Sequence, residues 1–266
     1  MQDLIDVCVN VTNNQFAADR AAVLTRAEQH GVVGMLFTAT DLTTTRESLA
    51  LCDGGSRLCT AGIHPHDAKD APANWRAELE ALASNPMVRA VGECGLDFNR
   101  SFSPHDVQID VFEQQIAVAK SLNKPLFVHD RESAGAVLAC LAKEHPLPPT
   151  VIHCFTGTQE ELSAYVDLGF HIGITGWVCD PWRGTALREM VARVPIDQLL
   201  IETDAPFLRP HNEPGEFHRL HGLPRRRNEP ALLGWIIQAL AELRDEPLHT
   251  LADATRQNAQ TLFGFN

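Results

Sequence analysis

Tyrosine is almost absent from this chain of 266 residues, with one copy, and aromatic residues make up only 6%. An extended platform for stacking many bases is therefore excluded. No apolar stretch reaches the ~18 residues of a membrane-crossing helix. Met1-Gln2-Asp3-Leu4 carries an acid where a secretory signal would be basic, so a cytoplasmic protein without a membrane partner is expected. Neither G-x-G-x-x-G nor G-x-x-x-x-G-K-[ST] occurs, which excludes the common nucleotide-cofactor loops. The seven cysteines form no C-x-x-C pair, so zinc knuckles and dithiol redox motifs are absent and reduced, mostly buried thiols are expected. Lys and Arg number 22 against 34 acids, and the formal charge of −12 rules out a broad basic coat for nucleic acid. A local polyanion site stays open.

Hydrophobic residues make up 44% of the chain, the composition of a folded globular protein. Short β-rich runs recur at residues 4–11, 32–38, 58–64, 88–94, 125–129, 150–154, 170–175 and 199–203. Helical periodicity lies between most of them, at 16–29, 73–83, 107–122, 134–144, 160–168 and 183–191, and two more helical stretches follow at 231–241 and 248–262. Strand alternating with helix without a linker-like break predicts a single domain over 1–266, a TIM-type (β/α)8 barrel with extra C-terminal helices. Two open half-sheets are the alternative.

Polar residues fall at the ends of five of these strands: His64, Glu93, His129, His153 and Asp204. A barrel gathers its carboxyl strand ends into one ring, so residues distant in sequence become neighbours of one cavity. Alternation puts His129 on the face of Phe127, His153 on that of Val151, and Glu93 on that of Val91. Imidazoles supply nitrogen and acids supply anionic oxygen, so Glu93, His129, His153 and Asp204 form a candidate divalent-metal set. Glu202 shares the face of Asp204 and competes for the same place. A lone buried His or Glu is commonly a hydrogen-bonded structural group, but five at five strand ends favour a metal centre and hydrolytic chemistry. Asp204 is the expected proton acceptor.

At these residues the sequence resembles the TatD-type metal-dependent deoxyribonucleases. The resemblance is carried by Gly62-Ile63-His64-Pro65-His66, Gly92-Glu93-Cys94-Gly95-Leu96-Asp97, Val128-His129-Asp130-Arg131, His153-Cys154-Phe155-Thr156-Gly157, Glu202-Thr203-Asp204-Ala205-Pro206 and Asn228-Glu229-Pro230. It implies a barrel hydrolase that removes nucleotides from the 3′ end of single-stranded DNA, in some relatives also RNA, with a divalent ion that is commonly Mg²⁺. It also implies metal ligation by Glu93, His129 and His153, an acid at Asp204, and His64 beside the reacting phosphate. One departure stands out: many relatives carry an H-x-H pair on the first strand, where this chain has Cys8 and Asn10. The site is accordingly oxygen-rich, leaning toward Mg²⁺ or Mn²⁺ over Zn²⁺ and away from a two-metal centre. Cys8 is read first as a small buried residue, with a metal thiolate as the alternative.

The segment 207–230 is a basic island, with Arg209, Arg219, Arg225, Arg226 and Arg227 against Glu213, Glu216 and Glu229. These arginines are candidates for phosphate, Arg227 among them, unless they pair with those glutamates. Arg131 is a second phosphate candidate, or a brace for a neighbouring carboxylate. Among the sparse aromatics, Phe98, Trp177, Trp182 and Phe207 follow strand ends, and Trp177 is the best placed to touch a base. The resemblance implies single-stranded DNA, and in some relatives RNA, as the substrate; the sparse aromatics suit a short footprint, and a monomer is expected. Rival expectations are a metal-dependent acyl or amide hydrolase, for example of D-aminoacyl-tRNA, and a binding scaffold without activity.

Overall fold

A computed structural model describes residues 2–265. Eight parallel strands pair in sequence order: β1 (Leu4–Val9), β2 (Val32–Phe37), β3 (Arg57–Ala61), β4 (Val88–Asp97), β5 (Leu126–Arg131), β6 (Thr150–His153), β7 (His171–Ile174) and β8 (Leu199–Ile201). A parallel bridge between Val9 and Ala205 joins the two ends of the sheet, so the expected (β/α)8 barrel is formed. Helices Arg20–Gln29, Leu42–Leu49, Trp75–Ala83, His105–Leu122, Ala136–Lys143, Gln159–Asp167 and Thr185–Met190 return the chain between strands. Helices Leu233–Arg244 and Leu248–Phe263 follow the last strand. Among the described residues no helix is long and apolar enough to cross a membrane.

Leu42–Leu49 was not expected from periodicity, because its Leu-Thr-Thr-Thr start is β-branched and polar. A capping box starts it: the Asp41 carboxylate accepts Thr44 N–H at 2.6 Å, and Thr44 Oγ1 accepts Asp41 N–H at 2.9 Å. The helix expected from residue 16 begins only at Arg20, since Asn14–Phe16 forms a separate 3₁₀ turn.

The core has two layers. Inside the barrel, Ile5, Val7, Leu36, Leu58, Ala90, Phe127, Val151 and Leu200 pack together with Phe263 and Phe265 from the chain's end. Gly34 makes room for this plug: a Cβ there would lie 3.1 Å from both Ile5 Cγ1 and Phe265 Cδ1. Val9, Val91, Cys94, Val128, Ile152 and Ile172 point the other way, into the layer shared with the surrounding helices.

The seam between β8 and β1 is held by one buried acid. Asp6 Oδ1 accepts Thr203 N–H at 2.9 Å and Cys8 N–H at 3.2 Å, and Asp6 Oδ2 meets the Thr203 hydroxyl at 2.5 Å. Asp204 N–H then donates to Cys8 O at 3.0 Å, and Asn10 N–H to Ala205 O at 2.9 Å. Burial pushes the Asp6 carboxyl up to about 8, against the hydrogen bonds that lower it. The folded chain therefore favours the protonated acid. Its stabilising effect is full below the ordinary carboxyl value of 3.8 and is lost as pH rises through about 8. Asp6→Asn, which keeps a neutral group of the same shape, is expected to show a smaller loss of urea stability between pH 5 and pH 8 than the native chain. Asp6→Ala, which leaves the Thr203 N–H unpaired, is expected to cost about 1–3 kcal/mol at pH 5 and less at pH 8, where the native acid has itself become costly to bury.

Candidate metal centre

Glu93 reaches the barrel's mouth because β4 breaks register. The β4–β5 ladder shifts between Val91 and Cys94, and Glu93 N–H turns to donate to Ala39 O at 2.9 Å. Val91 packs in the outer layer and Ala90 in the inner one, so plain alternation would send Glu93 outward with Val91. The irregularity re-aims it inward, which corrects the expectation that Val91 and Glu93 share a face. Gly95 lets β4 and β5 approach beside this point: its φ is 130°, and a Cβ would lie 2.0 Å from His129 O. On β5 and β6 the alternation holds, with Phe127 and Val151 inside the barrel below the two imidazoles.

One carboxylate oxygen gathers three imidazoles. Glu93 Oε1 lies 2.9 Å from His153 Nε2, 3.0 Å from His129 Nδ1 and 3.3 Å from His64 Nε2. Burial alone would push Glu93 up and His153 down. Their mutual contact, helped by His64 and His129 on the acid and by Glu202 on the imidazole, instead holds Glu93 well below the usual carboxylate range and His153 well above the usual imidazole value. His64 behaves differently. Its Nδ1 accepts the His66 N–H at 3.1 Å, which leaves the proton on Nε2. Burial pushes its pKa down to about 4, so it is a neutral N–H donor rather than a ligand with a free lone pair.

Both remaining imidazoles are backed by acids. His153 Nδ1 lies 3.3 Å from Glu202 Oε1, and Glu202 is fixed by the Cys154 N–H. Gly173 makes space for it, since a Cβ there would lie 2.6 Å from Glu202 Oε1. His129 Nε2 lies 3.5 Å from Asp97 Oδ2, which also takes His66 Nε2 at 2.7 Å. Burial would raise the Asp97 carboxyl, but His129, His66 and the Arg100 N–H hold it well below its ordinary range. Carboxylates behind imidazoles fix ring orientation and raise nitrogen basicity. Asp97 and His66 were not picked out from the sequence as site residues. The available signal was the acid that ends the Gly92–Asp97 stretch, which lies on β4 because that strand runs three residues past Cys94.

Asp204 stands at the end of β8 with φ 54°. Its Oδ1 accepts Asn10 Nδ2 at 2.8 Å and lies 3.7 Å from Cys8 Sγ. Burial pushes its carboxyl up to about 7. Cys8 is fully buried and takes the Thr38 hydroxyl at 3.2 Å, and together Cys8 and Asn10 hold Asp204 in place. Glu202, the competing acid, serves the far nitrogen of His153.

The donor set suits a divalent cation. Glu93, Asp97 and Glu202 are all buried, and among the described residues imidazoles are the only basic side chains in contact with them. Nitrogen from two imidazoles and oxygen from Glu93 converge on one spot, and a positive ion offsets the cost of burying the acids.

Arg227 is corrected as a substrate contact. Its guanidinium turns inward to Asp19 at 2.7 Å and Glu229 at 2.5 Å, and Arg26 joins the same fully buried Glu229. Removing any one charge from such a network leaves another unpaired. Arg209 and Arg219 pair with Glu213 and Glu216, and Arg225 and Arg226 stay exposed. Arg131 is half-buried, makes no ion pair among the described residues, and sits 5.8 Å from the Trp177 ring centre. Phe98 is spent on stacking with His105 at 3.8 Å, whereas Trp182 and Phe207 are exposed. Phe102, overlooked in the sequence, is exposed and packs edge-on against His66 at 4.7 Å. Asp97→Ala, which removes the support behind His129, is expected to weaken Mn²⁺ binding by about 10–100-fold in calorimetric titration. Unchanged affinity would mean that His129 needs no such support.

Comparison with known proteins gives the family. The sequence model for TatD related DNase matches residues 5–264. The 3′-5′ ssDNA/RNA exonuclease TatD of Pantoea ananatis is 45% identical over 265 residues, covering 98% of this chain and 99% of that protein. The protein of the same name from Escherichia fergusonii is 44% identical over 266 residues, covering 99% and 100%. Among solved structures, the TatD homologue YJJV of Escherichia coli k12 superposes with a TM-score of 0.88 at 30% identity, covering 99% of both chains. The hydrolase TatD family protein of Entamoeba histolytica, at 24% identity and 98% coverage of both chains, has the same fold with a TM-score of 0.86. The chain belongs to the TatD related DNase family.

Proposed function

We propose that this protein is a metal-dependent exonuclease that hydrolyses phosphodiester bonds of single-stranded DNA, and of RNA, from the 3′ end, with Mg²⁺ as its working ion. The observation that carries this reading is the meeting of His64, His129 and His153 on one oxygen of Glu93. The names of the relatives from Pantoea ananatis and Escherichia fergusonii support the substrate class.

In this reading Glu93, His129 and His153 hold the ion, with Asp204 beside them. A divalent ion there supplies a Lewis acid for the phosphate oxygens. The His64 Nε2–H donates to a non-bridging oxygen of the reacting phosphate. Asp204, oriented by Asn10, takes the proton of the attacking water. Arg131, free of other ion pairs among the described residues, holds an adjoining phosphate through its guanidinium fork. Exposed Arg225 and Arg226 remain for more distant backbone. The net charge of −12 over the whole chain disfavours a strand lying away from these arginines.

Glu93→Ala is expected to lower hydrolysis of end-labelled single-stranded DNA by at least about a hundredfold. Near-native activity would refute the site. Chelation is expected to abolish activity and Mg²⁺ or Mn²⁺ to restore it. Hydrolysis of an aminoacyl ester with no release of nucleotides would transfer the same site to acyl chemistry.

A further inference from the structure

The loops after β5, β6 and β7 enclose a cavity of about 400 Å³ on the face that carries the metal centre. Its walls include Asp130, Arg131, Glu132, Phe155, Glu161 and Trp177. The volume lies in the range of small-ligand pockets. Its position follows from the chain: Arg131 comes two residues after His129, and Phe155 two after His153. The cavity therefore opens within a nucleotide's reach of the proposed reaction centre.

Resting on the exonuclease reading, we propose that this cavity is a chain-end subsite, which takes the 3′-terminal nucleoside with its base against Trp177 and rejects a strand that continues past it. Trp177 is set in place by the protein itself. Thr175 Oγ1 accepts its backbone N–H at 3.3 Å, and its indole Nε1–H donates to Arg183 O at 3.0 Å. The Arg183 guanidinium covers the ring at 4.4 Å and is itself fixed to Asp180 at 2.7 Å. A ring held this way loses little freedom when a base stacks on it.

The charge of the walls tells which part of a strand fits. Glu132 and Glu161 line the cavity with one arginine, Arg131, while Asp130 is turned to the Tyr165 hydroxyl. A nucleotide inside the chain would bring a further phosphate toward these acids, and a terminal one brings only a hydroxyl. Glu132 is held at the rim in a left-handed conformation, φ 52°, with Asn99 Nδ2 donating to its carboxylate at 2.7 Å. Such a backbone costs energy in a non-glycine residue and persists where its surroundings enforce it.

The test compares kcat/KM on single strands of one sequence with three ends: a 3′-hydroxyl nucleotide, a 3′-phosphate, and a terminal abasic site with a 3′-hydroxyl. The native enzyme is expected to prefer the hydroxyl over the phosphate end by about tenfold or more. In Glu132→Gln that ratio is expected to shrink severalfold. The ratio of base-bearing to abasic ends is expected to fall about tenfold in Trp177→Ala and to persist in Trp177→Phe, since stacking of one base is worth ~1–3 kcal/mol. A loss in Trp177→Ala that is equal for base-bearing and abasic ends would give Trp177 a purely structural role and overturn the proposal. Equal use of phosphate and hydroxyl ends by the native enzyme would overturn the chain-end assignment. A native enzyme that digests none of the three strands contradicts the exonuclease reading itself.

Discussion

Three imidazoles from three strands meeting on one oxygen of Glu93 is the contact on which the rest of the structure depends. Nothing local in the sequence can make it, because His64, Glu93, His129 and His153 come from the ends of β3, β4, β5 and β6, four strands distant in sequence that pair side by side in the curved sheet. Barrel closure, which sets Asp204 beside this contact, depends on a short seam where the end of β1 meets the segment after β8. There a buried acid, Asp6, does what a strand ladder does elsewhere. The strain at Asp204 and the exposed ring of Phe102 lie near this centre, and the apolar plug of Phe263 and Phe265 lies below the inner layer.

The site's chemistry is divided by proton placement. His64 is fixed as an N–H donor by the backbone amide of His66, whereas His129 and His153 are backed by carboxylates that make their inward nitrogens more basic. One residue type thus serves two roles, and the neighbour of the far ring nitrogen decides which. Asp204, held by Asn10 and Cys8, belongs to a third arrangement in which the first strand orients an acid instead of supplying nitrogen.

Much of this was legible in the sequence, for physical reasons. Strand and helix periods survive in single sequences, so the alternation and the five polar strand ends could be read directly. Periodicity placed His129 and His153 correctly because β5 and β6 are regular there, and failed at Glu93 because a register shift leaves no mark on hydrophobic pattern. Leu42–Leu49 was hidden by threonines whose capping role appears only when Asp41 and Thr44 face each other. Arg227 looked like a phosphate ligand because charge counts do not reveal direction. Asp19, distant in sequence, is what turns it inward. Asp97 and Glu202 escaped as supports because their task is to face an imidazole rather than a substrate.

The most direct measurement is anomalous diffraction from a crystal soaked in Mn²⁺. The account predicts a strong peak in contact with Glu93, His129 and His153 together. A peak elsewhere, or full Mn²⁺ occupancy with these three side chains still turned only toward each other, would contradict it.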